Sequence, residues 1–471
     1  MEHVDQTANR PGEWQNIAKV HKLGLSMILL CAGLSILWGC QIGWFRYKGL
    51  FDLQAVYFGA RTLIEHHNPY SISELASVYS KSSVVEPIDS ITYHMITLFV
   101  NTPGTLLLVA PLVVLPVQVA QVFWTILSAA SLVLACVLMW RVGVEHAPRL
   151  SACLAGFLIL NCEVVIEAGN TAALVVGLCA IATWCFLRDR FVFTGVACMA
   201  ISVAMKPHDS GLVLFYFLLA GLTFRKRALQ SAILAGIISL VAIVWLSMVA
   251  PGWVHDWRSN LALISTPGEI NDPRPANLVT VHFPGQVICL QAVFSIISGN
   301  AKFFNIASYL VCGAIMVPWL ISTFRGRNSP TRAWLALAVI VPLTPLITYH
   351  RVWDAKLLML CIPACTMLWA LRGRIGWTAL VLTSLGIVFT ADVPLGIFEI
   401  LFKTLHLTTS TFSGQILTIL IARPGQLILL AMSTFYLWVY MRKDLVLTSS
   451  SNLDLASHTA DNIDASEHAL V

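Results

Sequence analysis

Residue types able to do chemistry gather at a few points along the chain. Asp52 lies in the run Phe51-Asp52-Leu-Gln-Ala-Val-Tyr57-Phe-Gly-Ala60-Arg61, a short way beyond the first long apolar stretch. A carboxylate held beside a hydroxyl can act as its general base. An Asp there also suits a helix N-terminus, as a cap and as a charge at the positive dipole end. Lys206-Pro207-His208-Asp209 concentrates polar groups between two short apolar stretches. Lys206 could stabilise negative charge developing in a dry cavity, or snorkel to lipid headgroups. His208 and Asp209 also fit a solvated turn. Thr348-Tyr349-His350-Arg351-Val-Trp353-Asp354 is the densest polar cluster outside the first loop. Arg can grip a phosphate in bidentate fashion, and His350 can donate a hydrogen bond or shuttle a proton. The plainer alternative is an interfacial Arg–Asp pair anchored by Trp353. Glu163 and Glu167 share a helix face and could serve as a second acidic group or bind metal. Trp253, His255, Trp257, Arg258, Asn277 and His282 suit sugar stacking or an interfacial belt.

Composition dictates what must position these residues. Of 471 residues 57% are hydrophobic and 11% charged, against about 25% charged in soluble domains. Mean hydropathy is +0.77. Apolar stretches recur at 24–43, 99–115, 117–140, 150–168, 171–188, 191–205, 211–224, 228–249, 305–324, 333–349, 355–371, 375–391 and 416–440. Stretches of about 17–25 residues can cross the hydrocarbon core, and they must do so as helices, because lipid offers the backbone no partners. The net charge of +5 sits mostly in short clusters between stretches, an orientation signal rather than a nucleic-acid surface. The first stretch reads as a retained helix, not a signal peptide. The 12 cysteines are scattered, and Cys361 and Cys365 read as small hydrophobes rather than zinc ligands.

Placing the basic clusters inside makes every stretch but one a full crossing. The exception is 99–115, where Pro103, Pro111 and Pro116 interrupt a regular helix. It is expected to be juxtamembrane or re-entrant. The expected architecture is therefore an all-α polytopic membrane protein of about twelve transmembrane helices. Residues 1–23 form a cytoplasmic segment, 24–441 the transmembrane domain, and 442–471 a disordered cytoplasmic tail. Outer segments are 44–116, 250–304 and 392–415, with Arg46 and Lys48 exceptions to the charge rule. The three-to-four spacing of apolar residues from Phe51 to Arg61 predicts an amphipathic helix on the membrane surface.

The order of short motifs carries a family resemblance. An Asp after the first membrane helix leads to Asn68-Pro69-Tyr70. Then come Asn101-Thr-Pro103, an apolar run and Pro111-Leu-Val-Val-Leu-Pro116. Gly169-Asn170, Arg188-Asp-Arg190, Gly195 and Ala200 on one helix, and Lys206-Pro207 follow in order. The pattern resembles glycosyltransferase family 87, polyprenol-phosphate-mannose-dependent enzymes of the GT-C superfamily. Asn101-Thr-Pro103 stands where Tyr-Pro-Pro or Asn-Pro-Pro is usual, and Asn170 replaces a common Gln. The resemblance implies a GT-C fold with amphipathic juxtamembrane helices in the first outer loop. It also implies inverting transfer of a mannose-like hexose from a polyprenyl-phosphate donor to a glycan or glycolipid hydroxyl. Asp52 falls on the family's catalytic aspartate. Lys206, His350 and Arg351 are expected at the donor phosphate, and Tyr57, Asn68, Tyr70, Asn101, Asn170 and Asp354 at substrate. No cofactor is expected, no metal ligand is assigned, and a divalent metal stays open. The partners are the donor, the acceptor and the bilayer, with no nucleic acid. The expected location is the inner (plasma) membrane, with both termini cytoplasmic and the site on the periplasmic or extracellular side. A transporter or flippase of lipid-linked glycans is the competing class; it should carry charge at mid-span. Another GT-C branch should show an Asp-Glu pair, whereas Leu53 follows Asp52.

Overall fold

Helices account for all the regular structure seen in a computed structural model that describes residues 11–46, 49–82, 90–274, 287–326, 329–391 and 411–442, with positions 397, 400 and 404. Lys48, Asn277, His282, most of 392–410 and the tail beyond 442 lie outside the described residues. The first helices are α1 (Pro11–Cys40), which runs on as a π-helical turn to Arg46, α2 (Phe51–Ile64), α3 (Ile72–Lys81), α4 (Ser90–Thr97) and α5 (Pro103–Val109). Next come α6 (Val117–Val144), α7 (Pro148–Leu160), α8 (Glu163–Ala168), α9 (Thr171–Leu187), α10 (Val192–Met205), α11 (Pro207–Leu219), α12 (Leu222–Val249) and α13 (Trp253–Leu263). The chain continues through α14 (Leu290–Ile297), α15 (Ala301–Arg325), α16 (Pro330–Ile347), a 3-10 helix at Asp354–Cys361, α17 (Ile362–Ala370), α18 (Gly373–Val388), α19 (Phe412–Ala422) and α20 (Pro424–Met441).

Among the described residues seven helical segments are long and apolar enough to cross a membrane: 19–45, 117–144, 148–168, 222–249, 301–325, 330–347 and 424–441. Shorter apolar helices accompany them, α9, α10 and α18 among them. The protein is an all-α polytopic membrane protein. The helices divide into two kinds. α16 is buried along most of its length, packed by α20, α11 and the 3-10 helix. α1, α12 and α15 turn most of their apolar side chains outward, as suits lipid rather than water.

Several stretches that read as single helices are broken. Residues 150–168 split at Asn161 and Cys162, 416–440 splits at Arg423-Pro424, and 355–371 starts as a 3-10 turn before Ile362. Pro424 explains the second break, since it lacks the donor that would continue the preceding helix. Residues 99–115 form a seven-residue helix and a five-residue 3-10 turn, about half the length needed to cross. The surface helix expected at 51–61 is α2, but it is buried along nearly its whole length beneath α3, α4 and α5. The first helix starts at Pro11, well inside the segment 1–23. Charge inside the apolar stretches is not absent either. Lys356 is buried with Nζ donating to the Thr390 carbonyl at 3.2 Å, and Arg423 is buried with Nη1 3.4 Å from the Val287 carbonyl.

Candidate active site

Four chain segments converge on one polar pit. The first is the start of α2. Leu50 is the N-cap of α2 and makes no side-chain cap. Asp52, two residues on, accepts instead from Asn170 Nδ2 at 2.5 Å. The alternative of a capping Asp is therefore not what forms. Asn170 is itself the N-cap of α9, its Oδ1 accepting from Ala172 N–H at 2.8 Å. The cap fixes the amide's orientation, so its NH2 group faces Asp52. Gly169 lets the chain turn into that cap: its φ is +65°, and a Cβ there would lie 2.7 Å from Leu50 Cβ. Trp124 Nε1 holds the same turn through the Gly169 carbonyl at 2.9 Å.

The third segment is the junction of α10 and α11. Pro207 at the first position of α11 ends α10 and leaves Lys206 at the apex. The last carbonyls of α10 lose helical partners there, and Thr102 and Thr105 supply them. Thr102 Oγ1 donates to Ala204 O and Met205 O at 3.0 and 2.9 Å, and Thr105 Oγ1 to Met205 O at 2.9 Å. Backbone contact is so close that a Cβ on Gly104 would meet Ala204 O at 2.4 Å. Asn101-Thr-Pro103 thus docks the segment between α4 and α5 onto the lysine apex. Beside it, the Asn101 carbonyl accepts from Tyr70 Oη at 2.7 Å.

The fourth segment follows α16. Gln291 Nε2 holds the Ile347 carbonyl at 2.8 Å, Ile288 N–H donates to the His350 carbonyl at 3.0 Å, and Val287 bridges to Arg351. Asp354 is fully engaged: Lys206 Nζ binds Oδ1, and Arg351 N–H donates to Oδ2 at 2.9 Å. Lys206 Nζ also stands 3.2 Å from Asp209 Oδ2. Arg351 donates to Tyr349 Oη and to the Ile270 carbonyl, with its guanidinium 5.2 Å above the Trp353 ring. His350 Nε2 lies 3.2 Å and His208 Nε2 3.6 Å from Asp209 Oδ1. His208, Asp209 and His350 could together hold a metal ion.

Charges reach across these segments. Burial pushes the Asp52 carboxyl above the usual carboxylate range, although part of its surface stays accessible. The Asn170 hydrogen bond and the charges of Arg351 and Lys206 pull the other way without cancelling that rise. Burial opposes charging of His350, but the Asp209 carboxylate beside it outweighs that and holds the imidazole above its ordinary range.

So Asp52, Asn170, Lys206, His350, Arg351 and Asp354 come together. Tyr57, Asn68 and Tyr70 do not join them. Tyr57 Oη donates to Leu115 O at 2.8 Å, and Asn68 Nδ2 to Asp256 Oδ2 at 2.6 Å. Tyr70 packs against Trp253 and Trp257. The indole N–H of Trp253 bonds Ser247 at the end of α12, and that of Trp257 bonds the Val100 carbonyl, so Trp257 ties α13 to the segment before α5. His255 is exposed. Glu163 and Glu167 are buried in α8 against the first helix, where Gly39 and Gly43 close on their carbonyls. Asp209 was legible only as part of a solvated turn; it is 1% exposed and central to the cluster. The signal for it is the adjacency of Lys, His and Asp around a helix-breaking Pro.

No curated protein and no solved structure matches the chain. The family model described as glycosyltransferase family 87 matches residues 99–341. That range holds Asn101, Asn170, Lys206 and Asp209, while Asp52 and the 348–354 segment fall outside it. The match covers just over half of the 471 residues, and the chain belongs to glycosyltransferase family 87.

Proposed function

We propose that this membrane glycosyltransferase moves a mannose-like hexose from a polyprenyl-phosphate donor to a hydroxyl of a glycan or glycolipid, with inversion, on a GT-C architecture. Asp52 takes the acceptor's proton as its oxygen bonds to the sugar's anomeric carbon. The bond from that carbon to the phosphate oxygen breaks, and polyprenyl phosphate leaves with added negative charge. In this reading Arg351, Lys206 and His350 offset that charge, and a site shielded from water strengthens the effect. Asn170 holds the base in place. The pit faces the periplasmic or extracellular side, and both termini are cytoplasmic.

The observation that carries the reading is the convergence itself. One partly open carboxylate, raised by burial, stands in electrostatic reach of Lys206 and Arg351, which come from other parts of the chain. A base with a raised pKa is better matched to proton abstraction near neutrality than an ordinary aspartate. The test is transfer from synthetic polyprenyl-phosphate hexoses to lipid and oligosaccharide acceptors by the purified protein. Turnover is expected with wild type and not with Asp52→Asn, which should still bind donor. Movement of intact lipid-linked sugar across vesicles, with no transfer, would make the protein a transporter instead.

A further inference from the structure

His350 is held by both of its ring nitrogens. Nδ1 lies 2.9 Å from the Thr348 carbonyl. A carbonyl can only accept, so Nδ1 carries the hydrogen, and a neutral ring then turns a bare Nε2 lone pair outward. What that lone pair meets is Asp209 Oδ1, 3.2 Å away. Two acceptors cannot face each other at this distance, so either a second ring proton or a metal cation must stand between them. His208 Nε2 aims at the same oxygen from 3.6 Å. His350 and Asp209 are each 1% exposed, and neither Asp209 oxygen nor His350 Nε2 completes a well-aimed hydrogen bond among the described residues.

We infer that His208, Asp209 and His350 form a binding site for one divalent transition-metal ion, with Nε2, Oδ1 and Nε2 as ligands. One ligand atom from each of the three residues lies within 4.8 Å of those of the other two. Bonds of about 2.0–2.1 Å place neighbouring ligands about 3.4 Å apart across a tetrahedral edge. The separations of 3.2 and 3.6 Å bracket that value. The donor set of two imidazoles and a carboxylate suits zinc, cobalt or manganese rather than the all-oxygen shells of calcium or magnesium. The Thr348 carbonyl gives His350 the outer hydrogen bond that metal-bound histidines usually have. Lys206 Nζ stands 3.2 Å from the far oxygen of Asp209 as a charge partner. With the carboxylates of Asp52, Asp209 and Asp354 ionised and both histidines neutral, the cluster carries one more negative charge than Lys206 and Arg351 supply, the state that a bound cation would favour. His208 keeps 38% of its side chain exposed, which leaves an entry path and room for a further ligand.

The site does not depend on the donor or on the role of Asp52, so its test reads metal and not transfer. Purified protein is stripped with a chelator, reloaded with Co2+ and followed by visible absorption and metal content. Wild type is expected to take up about one ion per chain and to show the intense bands of low-coordinate cobalt. His208→Ala, the variant least able to disturb the fold, should weaken uptake at least about tenfold. His208→Cys should keep binding and add a sulfur-to-cobalt band in the near ultraviolet. His255→Ala, at a histidine 87% exposed, should bind like wild type. Unchanged affinity in His208→Ala, or folded wild type that takes up no cobalt, overturns the site. In the latter case a second proton on His350 is what joins it to Asp209.

Discussion

Two polar assemblies stand among the loop-borne segments of this protein, and they use their groups in opposite ways. One is built from Asn68, Tyr70, Asp256 and Asn260. Asn260 Nδ2 donates to the Tyr70 and Phe99 carbonyls, both at 3.0 Å, and Asn68 Oδ1 accepts from Tyr70 N–H at 3.0 Å. The Asn260 contacts join distant segments, and the Asn68 contact closes a local turn. The other is the pit of Asp52, Lys206, Asp209, His350 and Asp354, where charged groups are buried together and several face one another with incomplete hydrogen bonding. Burying a charge without full compensation costs several kcal/mol per group, and such strain in charge balance is characteristic of functional sites. Under the proposed function the Asn68-Pro69-Tyr70 motif is architecture, while Asp52 and the lysine apex carry the chemistry.

If that division is right, the largest effect follows from the smallest chemical change in the pit. Asp52→Asn keeps the volume and still accepts from Asn170, yet it cannot take a proton. Transfer should fall about 10²–10⁴-fold, the usual range for a positioned base. Stability should not fall with it. The folded-state pKa of Asp52 is raised, so its contribution to stability is full below the unfolded value and is lost as pH rises through the folded one. At neutral pH the charged carboxylate is a burden, and the neutral amide should melt at the same temperature or higher. A melt that drops sharply would recast Asp52 as a structural residue.

Next in size is Lys206→Met. It strands Asp354 and Asp209, both nearly inaccessible, and removing one partner of a buried pair typically costs about 3–5 kcal/mol. Thermal unfolding in detergent reads this, and donor affinity should fall as well. A variant as stable as wild type would show that the carboxylates share protons and do not need the lysine. The architectural assembly should respond more mildly. Asn260→Ala leaves two carbonyls without their donor, worth about 1–3 kcal/mol, and turnover per folded molecule should hold. If turnover instead fell as steeply as in Asp52→Asn, the line between the two regions would be in the wrong place.

The sequence makes one of these regions far easier to see than the other. Apolar stretches mark the membrane helices because lipid demands them, and Pro207 marks the apex because proline ends helices. Lys-Pro-His-Asp and Tyr-His-Arg-Val-Trp-Asp stand out as local polar density. What local density does not reveal is that the two meet, since the Lys206–Asp354 pair joins residues 148 apart. Nor does it separate Asn68 and Tyr70 from Asn170, because all three are polar residues at turns. Their fates diverge through tertiary contacts: Asn68 finds Asp256, and Asn170 finds Asp52. Buried Lys356 and Arg423 stayed hidden because each is one charge in an otherwise apolar stretch, paired with a distant backbone carbonyl.

The finest test concerns Asn170, which touches both kinds of role. Its Oδ1 caps α9 and its NH2 group binds Asp52. Asn170→Ser keeps a good cap but is too short to reach the carboxylate, so it removes only the second function. The hydrogen bond favours ionised Asp52, and burial disfavours it more strongly. Wild-type kcat/KM should therefore rise with pH through an inflection above the ordinary carboxylate value of about 3.9. In the Ser variant that inflection should move further up, because the ionised form loses a donor. The base is deprotonated less often at a given pH, so near neutrality the rate should fall by less than about tenfold. An inflection that stays put while the rate falls would mean that Asn170 aims the carboxylate rather than tuning it. Loss of helix stability in place of either change would move Asn170 to the architectural side.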